Sequence, residues 1–76
     1  MIKLEIHTPY IKLDSALKLA GVVMSGGEAK TLIQNGAVCV NGGVCVLRGR
    51  KLLKNDVITI NDEEYILTQT PMKNEG

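Results

Sequence analysis

A chain of 76 residues with two tyrosines, no Phe or Trp, two cysteines and a net charge of +1 is bounded before any motif is read. That length supports one domain, near the lower limit at which a hydrophobic core alone offsets chain entropy, and it leaves little interior for a catalytic cleft. No apolar run approaches the roughly 20 residues of a membrane-spanning helix, and Met1-Ile2-Lys3-Leu4-Glu5-Ile6 alternates as a strand instead of forming a signal-peptide core, so a cytoplasmic, surface-binding protein is expected.

In chain order, residues 2–7 read as a short strand that Thr8-Pro9 ends. Leu13, Ala16, Leu17 and Ala20 recur at helical spacing, with Asp14 or Ser15 near the N-terminus and Gly21 as the stop. The link Val22-Val23-Met24 joins this helix tightly to a second. Ser25 and Glu28 have the spacing of a capping box, in which the Ser hydroxyl accepts the Glu28 amide and the Glu carboxylate returns to the Ser25 amide. Ala29, Leu32 and Ile33 carry helix two over about 26–35, and Gly36 closes it. Val38 and Val40 alternate on a strand at about 37–40. Asn41-Gly42 then predicts a hairpin into a strand at about 44–47, because both residues tolerate positive φ.

The segment Arg48-Gly49-Arg50-Lys51 reads as a basic, Gly-containing loop. Lys54-Asn55-Asp56 turns into the strand Val57-Ile58-Thr59-Ile60, and Asn61-Asp62-Glu63 turns into Glu64-Tyr65-Ile66-Leu67-Thr68. Two helices followed by hairpin-like strands indicate an α+β fold, with two N-terminal helices packed on a small antiparallel or mixed sheet in a single domain. The domain is expected over 1–69, with 70–76 a disordered tail.

Cys39 and Cys45 flank the Asn-Gly turn, and register decides their geometry. A two-residue loop puts them on opposite faces of the hairpin, whereas a three-residue loop ending at Gly43 sets them opposite each other. In a cytosolic chain free thiols are expected. Two Cys and the single His7 fall short of the four ligands of a structural zinc site, and no metal or other cofactor is expected. His7 with either Cys is a weak basis for a nucleophile pair, since both cysteines stand in Val-rich strands, so no enzymatic activity is expected.

Charge is unevenly distributed. From residue 12 to 54, Lys12, Lys18, Lys30, Arg48, Arg50, Lys51 and Lys54 face only the acids Asp14 and Glu28, a net +5, whereas residues 55–76 carry −4. Such a molecule is electrically two-sided, and its basic part suits phosphate. Gly26-Gly27 at a helix N-terminus either lets phosphate approach bare amides or serves cap and packing geometry. Tyr65, in an alternating strand, is expected half-buried, and the role of Tyr10 is left open. With so few rings, structured RNA read by shape fits better than single strands read by stacking.

Lys12-Leu13-Asp14 with Leu17, then Ser25, Ala29, Ile33, Gly36, Val38, Val40-Asn41-Gly42 and Asn55-Asp56-Val57-Ile58, resembles the S-four RNA-binding domain over nearly the whole chain. That is the module of the fourth small-subunit ribosomal protein, also found in pseudouridine synthases and bacterial tyrosyl-tRNA synthetases. The segment Ser25-Gly26-Gly27-Glu28-Ala29-Lys30 with the loop 48–51 looks most like short bacterial proteins made of this domain alone. The resemblance implies an RNA-facing surface on the two helices and adjoining loop, backed by the sheet (the αL motif). Lys12 stands where the family usually has Arg before Leu-Asp, Ser25 matches the Ser opening helix two, and Lys30 lies one residue beyond the matched Ala29. Gly26 departs from the pattern, since many members place Arg there, and Arg48, Arg50 and Lys51 are the candidates to compensate.

The expected site is therefore Lys12, Lys18, Ser25, Gly26, Gly27, Lys30, Arg48, Arg50, Lys51 and Lys54. The expected partner is structured RNA, ribosomal or transfer, with ribosomal particles in view, bound by a monomer in ribosome assembly or translation. The competing expectation is a protein–protein adapter that docks through the acidic sheet side without RNA. Steep salt dependence separates the two, because only binding through several phosphates releases counterions.

Overall fold

A computed structural model describes residues 1–70. The chain runs β1 (Ile2–Ile6), β2 (Ile11–Lys12), α1 (Leu13–Leu19), α2 (Gly26–Gln34), β3 (Cys39–Val40), β4 (Gly43–Val44), β5 (Lys51–Leu52), β6 (Val57–Ile60) and β7 (Glu63–Gln69). Five strands form a mixed sheet in the order β1-β7-β6-β3-β4, and β2 pairs with β5 in a separate antiparallel ribbon.

Both helices end in the same way, for a local reason. Gly21 (φ +77°) and Gly36 (φ +78°) take the left-handed conformation just past Ala20 and Asn35. After α2, Gly36 N donates to Ile33 O and Ala37 N to Leu32 O, each at 3.1 Å, and Gly21 and Val22 repeat this pairing with Lys18 and Leu17. These are the paired bonds of a Schellman close, which satisfy carbonyls the helix leaves free.

The N-terminal ends differ from the sequence expectation in detail. Ser25 Oγ does accept the Glu28 amide at 3.2 Å, but the Glu28 carboxylate accepts from Met24 N at 2.6 Å, one residue before Ser25. Helix α1 begins at Leu13, and its flanking Lys12 supplies no side-chain cap. Asp14 Oδ1 instead accepts its neighbour Ser15 N at 2.7 Å.

Asn41 (φ +51°) and Gly42 (φ +88°) form the two-residue turn between β3 and β4, with Val40 opposite Gly43. Cys39 therefore faces Val44, Cys45 turns to the other side, and both thiols are free. The strand expected at 44–47 stops at Val44: Cys45 N still donates to Val38 O at 3.0 Å, but Val46 and Leu47 leave the sheet and are exposed. Tyr65 is half-buried on β7.

Sheet closure joins the two ends of the described chain. β1 runs parallel to β7 from Ile2 opposite Tyr65 to Ile6 opposite Gln69, and Thr70 extends the pairing through its amide to Ile6 O at 3.2 Å. The rest of the expected tail, 71–76, lies outside the described residues. Leu4, Ile6, Val40, Ile58, Ile60 and Leu67 line one sheet face and bury Leu13, Ala16 and Leu17 of α1 with Ala29 and Ile33 of α2. Each fully buried Leu or Ile contributes about 1.5–3 kcal/mol relative to exposure.

Two polar residues of the sequence pattern have structural work. Asn41 Oδ1 accepts Val57 N at 2.9 Å and its Nδ2 donates to Asp56 Oδ1 at 3.1 Å, while Asp56 Oδ2 accepts Leu53 N at 2.7 Å. This clasp ties the tip of the β3–β4 hairpin to the turn that follows β5.

Candidate nucleic-acid interface

The basic segment 48–51, expected as a loop, is partly a strand fastened to the start of α1. Lys12 pairs with Lys51 and Ile11 with Leu52. Beyond the ribbon, Leu13 N donates to Arg50 O at 2.9 Å and Asp14 N to Arg48 O at 3.1 Å. The first amides of a helix have no partner within it, and here the carbonyls of the basic segment accept two of them. The anchor is apolar: Leu52 is fully buried, so one face of the ribbon is sunk in the core. Side chains alternate along extended chain, and directly opposed residues share a face. Tyr10, Lys12 and Lys51 consequently stand together on the outer face, with Lys51 Nζ 4.8 Å from the centre of the Tyr10 ring.

Lys12, Arg48, Arg50 and Lys51 are therefore gathered at one site, all exposed. None of the side-chain hydrogen bonds among the described residues is made by a Lys or Arg. Two ammonium groups on opposed residues repel, so the Lys12–Lys51 pair does not exist to stabilise the fold.

The other expected residues are placed separately. Lys18 is exposed near the end of α1, Lys30 is exposed on α2, and Lys54 is exposed in the turn after β5, beside Asp56. Ser25 serves as the cap of α2. Gly26 is half-buried and Gly27 exposed. A Cβ at Gly26 would meet nothing within 4 Å, and one at Gly27 only Ser25 Oγ at 3.8 Å. Packing therefore does not require either glycine, against the expectation that the pair serves packing geometry. An open cleft of about 500 Å³ adjoins this end of α2, lined by Val22, Val23, Ser25, Gly27, Glu28, Thr31 and Leu32.

Asp14 on α1 and Glu28 on α2 share the helices with these cations, and the other acids among the described residues lie elsewhere. Glu5 is on β1, Glu63 and Glu64 on β7, Asp62 at the β6–β7 turn, and Asp56 is engaged in the clasp. Charge asymmetry along the chain thus becomes asymmetry between the helix-and-ribbon side and the sheet. Among the described residues no group of three His, Cys, Asp or Glu is placed to hold a metal ion, and no helix is long and apolar enough to cross a membrane.

Tyr10 is the residue that sequence reasoning left unassigned. It lies beyond Pro9 in a stretch too short to show periodicity, and only its spacing of two from Lys12 hints at a shared face. Thr8 Oγ1 donates to Tyr10 O at 2.6 Å, and Gln69 Nε2 donates to Thr8 O at 2.7 Å, so the segment before the ribbon is held against the end of β7.

Comparison with known proteins places this geometry in a recognised group. A family model described as the S4 domain matches residues 4–68. A probable ribosome maturation protein, RlbA of Bacillus subtilis (strain 168), is 44% identical over 57 residues, covering 75% of this chain and 80% of that protein. The solution structure of YbcJ from E. coli, described as having an αL motif involved in RNA binding, superposes with a TM-score of 0.68 at 26% identity, covering 90% of this chain and 87% of that one. The 30S ribosomal protein S4e from Thermoplasma acidophilum gives a TM-score of 0.59 at 27% identity over 78% of this chain and 31% of its own.

Proposed function

The chain belongs to the S4 domain family, and from that premise we propose that it is an RNA-binding protein that docks its helix-and-ribbon side on the phosphate backbone of structured RNA. It acts by binding, without catalysis. Ribosomal RNA during ribosome maturation is the target class we favour over transfer RNA, because the Bacillus subtilis relative is a probable ribosome maturation protein.

The observation that carries this reading is the gathering of Lys12, Arg48, Arg50 and Lys51 at one edge, with no side-chain hydrogen bond of their own among the described residues, on a segment fixed by Leu52 and by the first amides of α1. Lysine and arginine at fixed positions neutralise phosphates, and arginine can grip one with two donors. Gly26 and Gly27, which packing does not require, give backbone amides at the start of α2 to the same role, with Lys18, Lys30 and Lys54 as outlying phosphate contacts. A surface built from phosphate contacts positions the protein without reading sequence.

The test is binding to structured ribosomal RNA across a salt series. If the gathered cations neutralise three or four phosphates, the logarithm of affinity falls against the logarithm of salt with a slope of roughly −2.7 to −3.6. Arg50→Glu with Lys51→Glu abolishes binding and leaves the amide spectrum of the fold intact. A salt-independent affinity, or full affinity in the double variant, refutes the reading.

A further inference from the structure

We infer that the cleft beside Tyr10 is a subsite for one unpaired nucleotide of the bound RNA, its base stacked on the Tyr10 ring and its phosphate held between Lys12 and Lys51. This inference rests on the RNA-binding reading and adds to it a contact with a base, which phosphate docking alone does not require.

Three observations converge on it. An open cleft of about 580 Å³ is lined by Thr8, Pro9, Tyr10, Ile11, Lys12 and Ser15, an apolar floor with a cation and hydroxyls at its rim. Tyr10 keeps 38% of its surface exposed although it stands in a segment held by the Gln69 and Thr8 hydrogen bonds, so the ring is offered on a fixed support. Lys51 sits 4.8 Å from the ring centre, opposite Lys12 across the ribbon.

Each part matches one part of a nucleotide. The ring and the apolar floor suit a flat π surface, and a cation over an aromatic ring adds to stacking platforms for single-stranded nucleotides. Lys51 covers one ring face and a base takes the other. The opposed ammonium groups of Lys12 and Lys51 repel, and an anion between them removes that repulsion. A free phosphate has no use for the ring, and an apolar ligand has none for the two cations. Tyr65, the other tyrosine, is half-buried in the sheet, so Tyr10 is the tyrosine ring offered on the surface.

The experiment compares affinity for an RNA duplex carrying one unpaired, bulged nucleotide with that for the same duplex fully paired, using wild type, Tyr10→Ala and Tyr10→Phe. Loss of one stacked base lowers affinity for the bulged RNA by roughly 5- to 150-fold in Tyr10→Ala. The fully paired duplex is bound as by wild type, and Tyr10→Phe retains both affinities. The bulged RNA labelled with 2-aminopurine at the unpaired position reads the same contact on the wild-type protein without any variant, as a fluorescence change on binding. Equal losses on both RNAs, no loss on either, or an unchanged 2-aminopurine signal at saturation overturn the subsite while RNA binding stands. Failure of the wild type to bind both duplexes overturns both readings.

Discussion

Replacing Asn41 separates what its side chain holds from what its backbone requires. Its oxygen takes Val57 N at 2.9 Å and its nitrogen reaches Asp56 Oδ1 at 3.1 Å, and its φ of +51° lies in the left-handed region. The two hydrogen bonds are exposed, so each contributes about 1 kcal/mol net. Asn41→Gly loses both bonds at no steric cost and should destabilise by about 2 kcal/mol. Asn41→Ala also places a Cβ in the left-handed region, which adds about 1 kcal/mol and brings the total to roughly 3 kcal/mol. Asn41→Asp keeps an acceptor for Val57 but aims a carboxylate at Asp56, where like charges at about 4 Å repel by about 1 kcal/mol even in water. It should therefore fall with the glycine variant and not with wild type. A domain of this length has about 4–11 kcal/mol of total stability, and each 1 kcal/mol moves its midpoint by about 4–8 °C, so the alanine variant should melt roughly 12–24 °C lower. Urea unfolding followed by circular dichroism, with a common slope for all variants, gives the free energies directly. An Asn41→Gly variant within about 0.5 kcal/mol of wild type would refute the clasp, and equal losses in the glycine and alanine variants would refute the backbone part.

Two further substitutions set stability against binding. Gly27→Ala has room for its Cβ and improves helix propensity, so it should raise unfolding free energy by up to about 1 kcal/mol while lowering RNA affinity, read by urea unfolding and by titration with ribosomal RNA. A stabilised variant with full affinity would show that the backbone of α2 does not approach RNA. Lys12→Glu converts the opposed Lys12–Lys51 pair into an attractive one, and cross-strand pairs of this kind are worth about 0.2–1 kcal/mol. Its thermal midpoint should hold or rise while RNA affinity drops and the salt slope becomes shallower. A fall in both stability and affinity would mean that Lys12 acts through the fold.

The sequence by itself determined what depends on near neighbours. The Ser25 cap, the closes at Gly21 and Gly36 and the Asn41-Gly42 turn each need only a few consecutive residues with the right φ preference or side-chain reach. Burial of Val38 and Val40 followed from alternation alone. The pattern of matched residues also pointed to the family, since local signals were spaced along nearly the whole chain.

Tertiary structure decided what depends on distant partners. β1 meets β7 more than 60 residues later in parallel, a pairing that neither strand encodes locally, because the choice of neighbour comes from shared burial in one core. The segment expected as a loop at 48–51 keeps its turn at Arg48-Gly49 but enters the ribbon at Lys51, because Leu52 had a core to enter and the first amides of α1 needed acceptors. Glu28 reached Met24 instead of Ser25, a choice among neighbouring amides that spacing cannot make. The meeting of Tyr10, Lys12 and Lys51 has the same origin: two extended dipeptides, 40 residues apart, paired so that their apolar side chains sink together and leave the ring and the cations on the outer face.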